Sequence, residues 1–396
     1  MKEKSKTLFK LLMAFALIGC DNPVEQSSEA VESFQIKVID LDGKEVGNKT
    51  IQIEDELTVF SALVDNFEVD YTNGEYGAYI TSINGSVVDS NYYMAIYENE
   101  EMASTGIEGL SIDCNDVFTF KVECWNTVES GYGVLDEYDL LVDKVVYGYY
   151  KDLDLSSIET YADSSFWDLL AINLAKNNFY DSNVFSYDSI SSIVKEEIDK
   201  VDITTLNGNG FIKYAAYARA LGLDMSALSL QMESYVATLS NEYSPYVTPF
   251  VMSASKMLNV ESETLNSLSK VEISSDLTWG PDASVWQCAT SLLYNDQISK
   301  DVLKQYVETI DYGNSSSNAL VLQAFAAFNE NIRSEEYKVD GKDLIEVLFD
   351  NYYDSETNTI QYTKGEENTF SYNQVMASLL AYKVCRDTMK AANIYE

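Results

Sequence analysis

The chain contains no histidine in 396 residues, and only 26 lysines and arginines stand against 64 aspartates and glutamates. Each shortage excludes something. Without imidazole there is no Ser–His or Cys–His nucleophile, and a zinc site would rest on thiolates and carboxylates alone. Five cysteines with no CxxC spacing make such a site improbable, so no metal is expected. The deficit of bases leaves no stripe to displace counterions from phosphates, which excludes nucleic acid as a partner. It also disfavours electrostatic docking to anionic lipid. A net charge of −38 suits a protein soluble outside the cell. No GxSxG and no P-loop occur, and the acids show no paired spacing of the glycosidase kind. No enzyme is expected.

The N-terminal stretch MKEKSKTLFKLLMAFALIGCDN carries an address. Lys2, Lys4, Lys6 and Lys10 form a basic region, and Leu11 to Gly19 is an apolar run too short to span a bilayer. It ends in Leu17-Ile18-Gly19-Cys20, which resembles the lipobox of bacterial lipoproteins. The resemblance implies that residues 1–20 are a signal peptide and that Cys20 carries the lipid. The protein would then sit on the extracytoplasmic face of the cell membrane, with polar residues 21–33 as a tether. Export permits disulfides. Cys114 and Cys124 are held apart by extended backbone, whereas Cys288 and Cys385 fall in apolar helical patterns that suit buried thiols.

Two periodicities divide the rest. Over residues 34–125 the period is two. FQIKVID and KTIQI alternate around Asp42-Gly43, and GAYITSING, NYYMAIYENE and DVFTFKVECW follow, with Asn84-Gly85 as a tight turn. Between them Val59, Ala62, Leu63 and Phe67 mark one face of a short helix capped by Thr58. The order β-β-α-β-β-β predicts a small β-grasp-like domain. Over residues 134–396 the period is helical. Amphipathic segments such as SISSIVKEEIDKV and DLIEVLFDNYY alternate with segments apolar nearly all round, such as FWDLLAINLAK, FIKYAAYARALGL, VWQCATSLLY, NALVLQAFAAF and VMASLLAYKVC. Helices apolar on every side must be buried on every side. The spacing predicts about six hairpins with inner helices ringed by outer ones, an α/α toroid, with an open solenoid as the competing arrangement. The fold class expected is therefore multidomain α+β.

The loops before the inner helices, TLNGNG, EYSPYVTP, TWGPDAS, DYGNSSS and ENTFSYNQ, all fall at one end of such a toroid. Their Ser, Thr, Asn and Asp residues suit helix capping. Capping does not need aromatics, yet Tyr246, Trp279, Trp286, Tyr312 and Tyr372 crowd the same end. Amide, hydroxyl and aromatic groups around a concave mouth suit a large, neutral, amide-bearing ligand. Candidate contacts are Asn209, Tyr246, Thr248, Asp282, Trp286, Asn318 and Gln374.

The stretch GAYITSINGSVVDSNYYMAIYENEEMASTGIEGLSI resembles the β domain of the transcobalamin and intrinsic-factor family. Tyr92 and Tyr93 occupy its aromatic pair, the second where tryptophan is common, and Gly106 matches its glycine. Here the β domain precedes the helices, the reverse of the animal carriers. The resemblance implies that a corrinoid, cobalamin or a relative, is clamped between toroid mouth and β domain, with one of Tyr92 and Tyr93 forming part of a lid. The expected function is a surface-anchored binder that hands its ligand to a membrane transporter. The alternative is a non-enzymatic surface protein that grips a protein or a glycan.

Overall fold

The computed structural model describes residues 32–74, 77–88, 91–124, 129–130, 132–151, 166–178, 202–220, 222–273, 280–366 and 368–396. Cys20, most of the tether, SISSIVKEEIDKV and Trp279 lie outside the described residues.

The β region begins with strand β1 (Ser33–Ile39), whose Phe34, Ile36 and Val38 are buried while the residues between them are half-exposed. It turns at Asp40–Lys44 into β2 (Glu45–Gln52). Helix α1 (Val59–Asn66) buries Val59, Ala62 and Leu63, and the Thr58 hydroxyl accepts from the Ser61 amide in a capping box. Strands β3 (Val69–Gly74), β4 (Gly77–Ile83) and β5 (Ser86–Val87) form a separate antiparallel sheet. Asn84 and Gly85 both take positive φ between β4 and β5, the geometry a tight hairpin requires. Strands β6 (Tyr92–Glu98), β7 (Glu101–Met102) and β8 (Val117–Cys124) complete a five-stranded sheet in the order β2-β1-β8-β6-β7. Its centre is the parallel pair β1 and β8, as a β-grasp arrangement demands. Besides the two-residue strands β5 and β7, periodicity missed strand β3. Its residues are exposed apart from a half-buried Val69, so no alternation marks it, and pairing with β4 holds it.

After the small hairpin β9 (Glu129–Ser130) and β10 (Gly133–Val134) come eleven described α-helices. Six are inner: α3 (Phe166–Asn178), α4 (Gly210–Ala220), α6 (Thr248–Met257), α8 (Pro281–Ser291), α10 (Ser315–Phe328) and α12 (Thr369–Thr388). Each packs on the next, and α12 packs back on α3, so the ring is closed. Five are outer: α2 (Glu137–Lys151), α5 (Ser226–Val236), α7 (Glu263–Leu268), α9 (Val302–Glu308) and α11 (Leu344–Tyr352). The short hairpin β11 (Tyr353–Asp354) and β12 (Thr359–Ile360) joins α11 to α12. Closure explains the inner sequences. In α10, twelve successive residues from Ser315 to Ala326 are buried, because neighbours stand on both sides, an outer helix behind and the lumen in front. Each fully buried Leu or Phe there contributes about 1.5–3 kcal/mol.

The lumen is not open through its length. Beyond α12 the chain turns at Met389, in the left-handed region, and re-enters the ring. Ala392 donates to the carbonyl of Ala326, and the Asn393 amide to that of Ala289, both in the last turn or so of their helices. Ser253 donates to the carbonyl of Tyr395, whose hydroxyl donates to Gln323. Ala392, Ile394 and Tyr395 are fully or almost fully buried. The segment stops the lumen from the end where the inner helices finish.

Candidate ligand-binding mouth of the helical ring

The first turns of the inner helices meet at the opposite end. Trp167 of α3 stacks on Trp286 of α8, with ring centroids 6.4 Å apart, and Phe250 of α6 lies 5.0 Å from Trp286. The Tyr395 ring stands edge-on to Trp167 at 6.1 Å, so it forms the floor under this aromatic cluster. Asn314 and Asn368 cap α10 and α12 through their side chains. Helices α6 and α8 have no side-chain cap and instead carry proline in the first turn, where a missing amide hydrogen costs nothing.

Two acids sit in these first turns. Asp168 is fully buried. Tyr149 donates to its Oδ1 at 2.9 Å and Asn373 to its Oδ2 at 3.1 Å, which joins α2, α3 and α12. Burial raises its carboxyl to about 8, against the lowering effect of the Tyr149 hydrogen bond. Asp282 of α8 is partly buried; burial raises its carboxyl too, and a hydrogen bond from Ser317 works against the shift. Several buried polar atoms at the mouth have no hydrogen-bond partner among the described residues: Asp282 Oδ1, Trp286 Nε1, Gln374 Nε2 and Ser315 Oγ. Such atoms ordinarily cost about 1–3 kcal/mol each unless a ligand or water takes them up.

The expected contacts divide into groups. Asp282, Trp286 and Gln374 all lie in the first two turns of their helices, at the mouth end. Gln374 accepts from Ser316 at 2.5 Å while Asp282 takes its bond from Ser317, so these two flank the first turn of α10. Asn209, Tyr246 and Thr248 lie on a neighbouring part of the rim. The Asn209 amide donates to the Tyr246 carbonyl, leaving the Tyr246 ring exposed. Thr248 lines a rim pocket of about 400 Å³ with Leu239, Tyr243, Pro245, Val251 and Leu265. Asn318 is not positioned as a ligand contact. It is fully buried, its Oδ1 accepts from the Tyr312 amide and its Nδ2 donates to Asp311, so the whole amide is used in holding the preceding loop.

Tyr92 and Tyr93 are placed away from the mouth. Tyr92 is buried in the β core, and its hydroxyl donates to Asp143 Oδ2 on α2 at 2.5 Å. It pins the β domain to the flank of the ring and cannot serve as a lid in this arrangement. Tyr93, on the other face of β6, is half-buried opposite Glu123. That open face also carries Lys37, Tyr97, Thr119 and Lys121 around a shallow depression of about 580 Å³. The junction is completed by Lys151, which pairs with Asp40 and, at 3.6 Å, with Asp42. Behind Tyr92, Asp143 Oδ1 binds Arg386 at 2.6 Å and Lys383 at 3.1 Å.

Sequence reasoning missed Asp168, Trp167 and Tyr395. A signal existed for the first pair, since an acid in a helix apolar all round stands out. Tyr395 had none. The four described cysteines form no disulfide, and burial pushes the thiols of Cys288 and Cys385 up to about 12 and about 11. Among the described residues no group of acids and cysteines could hold a metal ion, and no helix is long and apolar enough to cross a membrane.

Comparison with known proteins reaches the β domain. Residues 56–123 match a family described as a domain of unknown function, DUF4430. Nothing among curated proteins matches the chain. One solved structure is that of a Ruminococcus gnavus ATCC 29149 protein described as a "putative metal binding protein"; it is 22% identical, covering 24% of this chain and 98% of that one. Its TM-score of 0.22 is too low for the likeness to carry an argument. The chain is thus an α+β protein whose β domain contains a DUF4430 match and whose helices form a closed ring.

Proposed function

We propose that this is a binding protein, not a catalyst, and that its ligand is neutral, bears amide groups and sits at the mouth of the ring. The observation that carries the reading is the set of orphaned polar atoms beside Trp286, above a lumen stopped by Tyr395. Asp168 supports binding over catalysis, because it is sealed from solvent with both oxygens engaged. The resemblance of the β domain nominates a corrinoid as the specific ligand. Lipid on Cys20 would hold the protein at the outer face of the cell membrane, where a transporter could receive the ligand.

A corrinoid would be bound without a histidine on its cobalt, since the chain has none. Aquocobalamin should therefore keep the spectrum of its own axial ligands. With Tyr92 engaged at the junction, most of the affinity would come from apolar and aromatic burial at the mouth. The test is to mix the protein with cyanocobalamin, aquocobalamin and cobinamide, desalt, and read colour in the protein fraction. A colourless fraction with all three removes the corrinoid. Retention on a glycan array would then favour the alternative of a surface protein that grips a glycan.

A further inference from the structure

The depression on the open face of the five-stranded sheet is a site of another kind. Lys37 on β1 pairs in register with Thr119 on β8, and Thr119 with Tyr97 on β6. A cation, a hydroxyl and a ring therefore stand in one row across three strands, about 4.8 Å from strand to strand. All three are half-buried, while Ile36, Val38, Phe118 and Phe120 next to them along the strands point into the β core. Ile39 and Val117 lie in the adjoining rows and, like Tyr97, do not pack into that core. With Lys121, Asn99 and Glu100 they line the space of about 580 Å³.

Most polar groups on this face are already engaged. Glu123 Oε1 accepts from the Tyr97 hydroxyl at 2.9 Å and pairs with Lys121 at 2.6 Å. Asn99 uses both ends of its amide, donating to Asp116 and accepting from the Val117 amide. Glu45, opposite Ile39 on β2, accepts from Asn48. The Lys37 ammonium and the Thr119 hydroxyl are left with no hydrogen bond or ion pair among the described residues. Lys37 lacks a carboxylate although the chain holds 64 acids to 26 bases.

We infer that this face is a binding site for a small organic monoanion, a carboxylate carried on a flat apolar body. The carboxylate accepts from Lys37 and Thr119. The body lies over Ile39 and Val117 against the Tyr97 ring, whose position the Glu123 bond fixes. Competing chemistries fit less well. A glycan needs many hydrogen-bonding partners, and two groups are free. A cation would face Lys37. A dianion gains little from Lys121, whose charge Glu123 already balances, and it meets Glu100 at the rim. A neutral alcohol satisfies Thr119 but leaves the ammonium without a counter-charge.

The site is separate from the mouth of the ring and does not rest on the reading proposed for it. Saturation-transfer NMR of the full chain tests it with 3-phenylpropionate, 3-phenylpropanol, 3-phenylpropylamine and acetate. The first three carry an acid, an alcohol and an amine on one body, and acetate is the acid without the body. Phenylpropionate should receive saturation and the other three much less. Lys37→Gln keeps a polar side chain without the charge and should weaken phenylpropionate about tenfold, the factor for a charge-assisted hydrogen bond. Thr119→Val keeps the shape without the hydroxyl and should weaken it about fivefold. Circular dichroism checks that the variants fold, and where one does not, the four probes on the unaltered chain decide. Equal transfer to acid and alcohol, preference for the amine, or acetate bound as tightly as phenylpropionate would overturn the site. So would transfer to none of the probes, or folded variants that bind phenylpropionate unchanged.

Discussion

Two acid clusters touch helix α2, and they are built on opposite terms. At the domain junction, Asp143 is fully buried and every bond is made: Arg386 and Lys383 on one oxygen, Tyr92 on the other. Burial would raise neighbouring Asp387, but Lys383 and Arg386 overcome that and hold it below the ordinary carboxylate range. At the mouth no cation faces Asp168 or Asp282 among the bonds described. Burial there wins, and both carboxyls are raised. The saturated cluster behaves as structure, since a buried charge is tolerable only when paired. At the mouth, Asp168 is satisfied by neutral donors alone, and Asp282 Oδ1 is left without a partner among the described residues.

The sharpest way to break the comparison is one isosteric change on each side. Asp143→Asn strips the negative charge from between two buried cations, and a loss of about 3 kcal/mol is expected. Urea unfolding of the purified chain measures it, and a loss below about 1 kcal/mol would mean the junction is not charge-locked. Tyr92→Phe removes only the bond across the junction. It should cost about 1.5 kcal/mol, the value for a hydrogen bond to a charged group. Proteolysis between the domains should quicken, while ligand uptake at the mouth stays the same. A large fall in uptake would restore the lid expected from the family resemblance.

Asp168 has a folded value near 8 against about 3.9 unfolded, so the folded state holds an extra proton between those values. The stability this group contributes is complete at low pH and declines as pH rises from about 4 to about 8, by up to about 1.4 kcal/mol per unit. Asp168→Asn should flatten that decline, read from unfolding midpoints at pH 5 and pH 8. An unchanged slope would show that Asp168 is ionised throughout. The smallest effect belongs to Asp282→Asn, expected within about 0.5 kcal/mol of the parent, because no buried cation loses its partner. A loss as large as that of Asp143→Asn would erase the distinction between the clusters.

Much of this architecture could be read from local pattern. Phe34, Ile36 and Val38 announce a half-buried strand, Thr58 announces a helix start, and Asn84-Gly85 a hairpin. The segment NALVLQAFAAF, apolar on nearly every side, requires a helix buried all round, and ring closure by α12 on α3 is how the chain supplies that burial. These features depend on residues a few positions apart, where backbone geometry alone sets the period. The candidate mouth was legible only as a collection of loops. Asp282, Trp286 and Gln374 could be nominated as residue types, but Asn318 could not be told from them, because its partners Asp311 and Tyr312 are fixed by how one loop folds back on its helix. Tyr92 meets Asp143 across 51 positions, Arg386 meets Asp143 across 243, and Ser253 meets Tyr395 across 142. No period encodes such pairs. They exist because the β domain docks on the flank of a ring whose closure brings distant helices side by side. Only that closure decided which acids found cations and which stayed buried and raised without one.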